Sequence, residues 1–120
     1  QPFIADMTAY AISNKSKIAI KMKTDYERRA KLVCKKLTKT KNIHPIMPKS
    51  GMFILIKLEL ENLSDEQFAW QLLHNKGVAV MPGSSFGPNG KGYVRLSLTV
   101  PDKDLEKACD RINEYVKKLI

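Results

Sequence analysis

Residues 93–99 read Tyr-Val-Arg-Leu-Ser-Leu-Thr, and this alternation leaves little choice of conformation. Side chains point to alternate sides along a strand, so Val94, Leu96 and Leu98 share one face. Tyr93, Arg95, Ser97 and Thr99 share the other. A slip of one residue would turn the whole apolar set outward, so burial of one face fixes the register. Arg95 therefore stands on the open face of a half-buried strand. The approach to that strand, PGSSFGPNGKG at residues 82–92, holds four of the chain's six glycines. Only four of its 21 basic residues are arginines, so a guanidinium at this place is a specific choice.

The remaining pattern supplies partners for the strand. Residues 52–60, MFILIKLEL, alternate in the same way: Met52, Ile54, Ile56, Leu58 and Leu60 face inward, while Phe53 and Leu55 give way to Lys57 and Glu59 on the other side. VAVM, residues 78–81, reads as a short strand, and NIHPIMPKSG, residues 42–51, as a connector closed by prolines. PFIADMTAYAI is a short helical candidate interrupted by SNKS at residues 13–16. A long helix then runs from Lys17 to about Leu37, with Met22, Tyr26, Ala30, Val33 and Leu37 as one stripe. Ser64 and Asp65 open the next helix and Gly77 is placed to end it. Pro101-Asp102 opens the last, which extends through Leu119. The expected fold is α/β in the α+β, two-layer sense: one small sheet covered on one face by helices.

Charge is concentrated. Residues 15–41 carry eleven basic and two acidic residues, which accounts for the whole formal net charge of +9. Lys17, Lys21, Arg28, Lys31, Lys35 and Lys39 lie opposite the apolar stripe, which reads as a solvated helix face. Specific nucleic-acid recognition is not expected there, because Tyr26 is the segment's one aromatic and it falls on the stripe. No apolar run approaches the ~20 residues of a membrane span, and two cysteines make no disulfide framework. A cytoplasmic setting without membrane attachment is the expectation.

Several short motifs fail in context. GSSFG, residues 83–87, fits G-x-S-x-G with Ser85 as nucleophile, but that elbow needs a following helix and a later histidine. Here a strand follows, and His44 and His74 both precede the serine. Gly90-Lys91 lacks the first glycine and the hydroxyl of a phosphate loop. KGYVRLSL begins like an RNA-binding strand but places Arg95 where a stacking aromatic belongs. Cys34, His44, His74 and Cys109 have no metal-ligand spacing, so no metal is expected. Both cysteines read as small core residues, His74 as a favourable charge at a helix C-terminus. Phe68 and Trp70 read as core, one of which could cover an interface.

Taken in order, four segments resemble one family. YERRAKLVCKKL is similar to the Tyr-x-x-Arg-Arg signature (Tyr26, Arg28, Arg29), and PKSGMFILIKL to a Pro-x-x-Gly-x-Phe run (Pro48, Gly51, Phe53). QFAWQLLHNKGVAVMPGSSFG and GYVRLSLT complete the likeness to the C-terminal, small domain of class I/II, fold-type I aminotransferases that use pyridoxal 5'-phosphate (PLP). The resemblance implies a small, mostly antiparallel sheet and a homodimeric enzyme moving an amino group between an amino acid and a 2-oxo acid. It assigns to Arg95 the substrate α-carboxylate, and it brings Phe86 to the lining of the site. It makes residues 1–16 a remnant of the large PLP-binding domain and 17–120 the small domain with its linking helix.

The family's Schiff-base lysine belongs to a Ser-x-Ser-Lys-type motif of the large domain, which SNKSK at residues 13–17 does not match. No catalytic, cofactor-binding or metal-binding residue is therefore expected in this chain, and the 120 residues alone are expected to be inactive. Two other classes remain open: a stand-alone basic RNA-binding module, and a structural or regulatory domain of enzymatic descent. For Arg95 the competing expectation is a surface or interdomain salt bridge.

Overall fold

The computed structural model describes residues 1–120 apart from the side chains of residues 15–17. The expected boundary between residues 16 and 17, and the placing of Lys17 on the solvated face, lie outside the described residues.

Alternation and periodicity produce the elements. The helices are α1 (Pro2–Ser13), α2 (Lys15–Leu37), α3 (Asp65–Lys76) and α4 (Asp102–Leu119). The strands are β1 (Ile43–Ile46), β2 (Phe53–Leu58), β3 (Met81–Pro82) and β4 (Tyr93–Ser97). They form one antiparallel sheet in the order β1-β2-β4-β3. Ile54, Ile56 and Leu58 of β2 and Val94 and Leu96 of β4 are buried, with Leu98 just beyond. Against them pack Ala30, Val33 and Leu37 of α2, Phe68 and Leu72 of α3, and Leu105, Cys109, Ile112 and Val116 of α4. The helices thus cover one sheet face, as the two-layer expectation requires.

Local chemistry sets the ends of α3. Ser64 Oγ accepts from the Gln67 N–H, and the Gln67 side chain accepts from the Ser64 N–H, forming a reciprocal cap. Gly77 ends the helix at φ 62°, a left-handed conformation that glycine reaches without Cβ strain.

Several expectations need correction. The segment read as a connector contains β1, whose Pro45 lies opposite Ile56 on the sheet edge. An edge strand tolerates the missing proline N–H, and Ile43 supplies the buried anchor. The strand expected at residues 78–81 pairs only at Met81 and Pro82, because Val78 turns into the core instead. Trp70 is 64% exposed and stacks on His74 with ring centroids 5.8 Å apart; Phe68 alone of the two enters the core. Met22 and Met52, expected to face inward, are exposed, and Cys34 is only half-buried beside Met47. The inward stripe of α2 becomes a buried stripe only from Ala30 onward.

Before that residue nothing is buried among the described residues. Phe3, Ile4, Met7, Tyr10 and Ile12 of α1, and Ile18, Ile20 and Met22 of α2, are all exposed. The apolar side of this helical arm is therefore written in the sequence but has no counterpart within the packed domain.

Candidate functional site

The open face of the sheet carries the site. Arg95 lies opposite Leu55 of β2 on one side and Met81 of β3 on the other. Phe53, two residues before Leu55, lies on the same open face. Arg95 Cζ sits 4.1 Å from the centroid of the Phe53 ring and 4.2 Å from that of Phe86. The guanidinium carbon thus lies over both rings. A cation over a ring face is attracted by the ring quadrupole. Among the described residues, no carboxylate forms an ion pair with Arg95. The salt bridge weighed for Arg95 is thus not made among the described residues.

The glycine loop that delivers Phe86 is built by close backbone approach. It contains two short 3₁₀ turns, Gly83–Phe86 and Pro88–Gly90. A Cβ on Gly83 would come within 2.1 Å of the Gly90 carbonyl oxygen, and a Cβ on Gly90 within 2.1 Å of the Gly83 oxygen. The two glycines face each other, and neither position has room for a side chain.

Asp65 staples this loop to the start of α3. Its carboxylate, on a residue only 5% exposed, accepts the Ser84 N–H at 2.8 Å and, at a long 3.5 Å, the Gly92 N–H. Burial pushes the Asp65 pKa up, but the hydrogen bonds from Ser84 and Gly92 outweigh it and hold the group below its ordinary value. The sequence marks Asp65 only as part of a helix start; the staple needs the loop's position, which no spacing reveals.

A lowered folded-state pKa fixes a sign. The Asp65 contribution is complete above the unfolded value of ~3.9 and is lost as pH falls through the folded one. Asp65→Asn is expected to cost about 1–2 kcal/mol at pH 7, and the gap to the parent chain should close at low pH. Chemical denaturation across pH 2–7 measures both; a gap independent of pH would contradict the carboxylate's role.

The Tyr26, Arg28, Arg29 signature proves to be a brace. Arg29 donates from Nε to Asp102 Oδ1 at 2.9 Å and from a terminal nitrogen to the Leu98 carbonyl at 2.8 Å. Arg28 pairs with Asp25 and with Asp102. Together they tie α2 to the exit of β4 and the start of α4, which fixes the strand that carries Arg95. Tyr26 packs half-buried against the core.

The decoys are dispersed. Ser85 lies within a 3₁₀ turn leading to another turn and a strand. His44 contacts Glu59, and His74 stacks on Trp70. Among the described residues, no group of three or more His, Cys, Asp or Glu could hold a metal ion. No helix among them is long and apolar enough to cross a membrane.

A planar cation on a strand, lying over two rings and without an ion-pair partner among the described residues, has the chemistry to take a carboxylate or a phosphate. Residues 3–112 match the family described as aminotransferase class I and II. The chain is 34% identical over 110 residues to an arginine–pyruvate transaminase of Pseudomonas aeruginosa, covering 92% of this chain and 28% of that protein. It is 35% identical over 97 residues to an aspartate aminotransferase of Pyrococcus abyssi, 81% of this chain and 25% of that protein. An aromatic aminotransferase structure from Pyrococcus horikoshii superposes with a TM-score of 0.81 at 35% identity, over 87% of this chain and 28% of that one.

The chain belongs to the class I and II aminotransferase family. It spans about a quarter of the length of the curated relatives it matches.

Among the described residues, the lysines with a shifted pKa are not suited to hold PLP as a Schiff base. A Schiff-base lysine works with a lowered pKa, whereas Lys57 is pushed up by its hydrogen bond to Glu59, and Lys36 by its hydrogen bond to Asp110. Both are thereby held as ammonium ions on the surface.

Proposed function

We propose that this chain is the small, C-terminal domain of a PLP-dependent aminotransferase acting between an amino acid and a 2-oxo acid, with Arg95 as the receptor of the substrate α-carboxylate. The observation that carries the reading is Arg95 itself: a guanidinium on the open face of a strand, flanked by Phe53 and Phe86, with no ion-pair partner among the described residues. Two parallel N–H donors match a carboxylate and fix its orientation, which a lysine ammonium cannot do. The family supports the same assignment.

In this reading the electron sink, the lysine and the phosphate ligands belong to a large domain. Residues 1–16 would be part of that domain, and the exposed apolar side of α1 would lie against it. A homodimer is the proposed assembly and the cytoplasm the proposed setting. The RNA-module alternative draws less support, because Lys31 on the basic face is paired with Glu27 and Lys36 beside it with Asp110.

The 120 residues alone are expected to fold and neither to bind PLP tightly nor to transaminate. Titration with PLP under an absorbance readout checks this. A stable aldimine band abolished by substituting a single lysine would overturn the assignment of cofactor chemistry to other residues.

A further inference from the structure

We propose that Phe53 and Phe86 are positioning residues that act through Arg95: the two rings cover the guanidinium and leave its N–H edge as the surface offered to a carboxylate. The inference rests on the substrate reading of Arg95 and adds what holds that side chain ready.

An arginine side chain is long and loses considerable rotamer freedom when it is fixed. An acidic neighbour can hold an arginine in place, and Arg29 and Arg28 of this chain are held that way by Asp102. Arg95 has no such partner among the described residues, and an acid there would compete with the substrate for the same N–H donors. The rings avoid that conflict. Their centroids lie 4.1 and 4.2 Å from Cζ, and a phenyl ring offers no conventional hydrogen-bond acceptor to compete for the N–H donors. The rings also shed water from the guanidinium, which strengthens the attraction between the cation and an arriving anion.

The rings come from two separate elements, and each is fixed independently. Phe53 is placed by the β2–β4 register, which pairs Leu55 with Arg95. Phe86 is placed by the glycine loop, itself pinned by Asp65 through Ser84. Phe53 is 39% and Phe86 56% exposed, more than a core role requires. Both large rings lie over the same cation.

The test uses Phe53→Leu and Phe86→Leu, singly and together, in the full-length enzyme containing this chain, with Tyr at each position as the conservative variant. Each Leu variant is expected to raise KM for the amino acid and for its 2-oxo acid about three- to tenfold, with kcat within twofold and Tyr restoring most of the loss. A substrate amine lacking the α-carboxylate should be unaffected. Unchanged KM in both Leu variants, while Arg95→Ala still discriminates the amino acid from the amine, would overturn the clamp and leave the carboxylate reading standing. Equal losses for Arg95→Ala on amino acid and amine would instead remove the reading beneath it.

A second measurement needs no variant. In the ¹⁵N–¹H spectrum of the 120-residue chain, the Arg95 Nε–Hε proton should resonate upfield of that of Arg28 through ring currents. Coincidence of the two would overturn the clamp.

Discussion

Arg95→Ala is expected to lower kcat/KM for the amino acid and its 2-oxo acid by a factor of about 30 to several thousand. This corresponds to about 2–5 kcal/mol of lost transition-state binding, the cost of leaving a desolvated charge without its partner. Both substrates carry the same carboxylate, so both half-reactions should suffer together. The decarboxylated amine should lose far less, and that ratio separates recognition from folding. Arg95→Lys should recover only part of the loss. An ammonium offers no parallel donor pair, and it has no planar face to lie against Phe53 and Phe86. Steady-state kinetics on an amino acid and its amine provide the measurement, and equal losses on the two would reduce Arg95 to a structural residue.

Gly83→Ala, like its mirror Gly90→Ala, is expected to be among the most damaging methyl additions at the domain's glycines. The new Cβ would meet the Gly90 oxygen at 2.1 Å and the Tyr93 oxygen at 2.9 Å. Both obstacles are backbone, so no rotamer change relieves them. Overpacking of this kind costs about 3 kcal/mol, which for a chain of this size lowers the melting temperature by about 10–15 °C. If the loop instead opens to accept the methyl, Phe86 should leave Arg95 and the carboxylate KM should rise. Gly51→Ala is the contrast: its φ is +88°, but nothing lies within 4 Å, so only the left-handed strain of about 1–2 kcal/mol applies. Thermal melts of the two variants compare room with conformation. A Gly83→Ala chain melting within 2 °C of the parent would mean that the loop is not closed by the Gly83–Gly90 approach.

Most of the architecture was legible along the chain because it rests on local periodicity. The alternation of β2 and β4, the stripe of α4, and the Ser64 and Gly77 punctuation of α3 are each decided within a few residues, where sterics and capping dominate. The same alternation placed Arg95 on the open face before any fold was known. What failed was either unpaired or too short to have a period. β1 exists because Ile43 finds a place in the core and Pro45 can occupy an edge, both of which are properties of the finished sheet. Trp70 lies on α3 near residues that are buried, yet packing left it outside.

The sequence by itself determined the order of the elements other than β1, the two-layer class and the face on which the guanidinium stands, since each follows from side-chain direction relative to the backbone. Only tertiary structure decided what surrounds Arg95. Phe53 and Phe86 are 33 residues apart in the chain, and Asp65, which holds the loop behind one of them, lies between. Strand register and a backbone-to-backbone glycine contact bring them together, and neither leaves a spacing that can be read. The physical reason is that a cation–ring contact depends on where two elements cross, whereas a strand's two faces depend only on the chain itself.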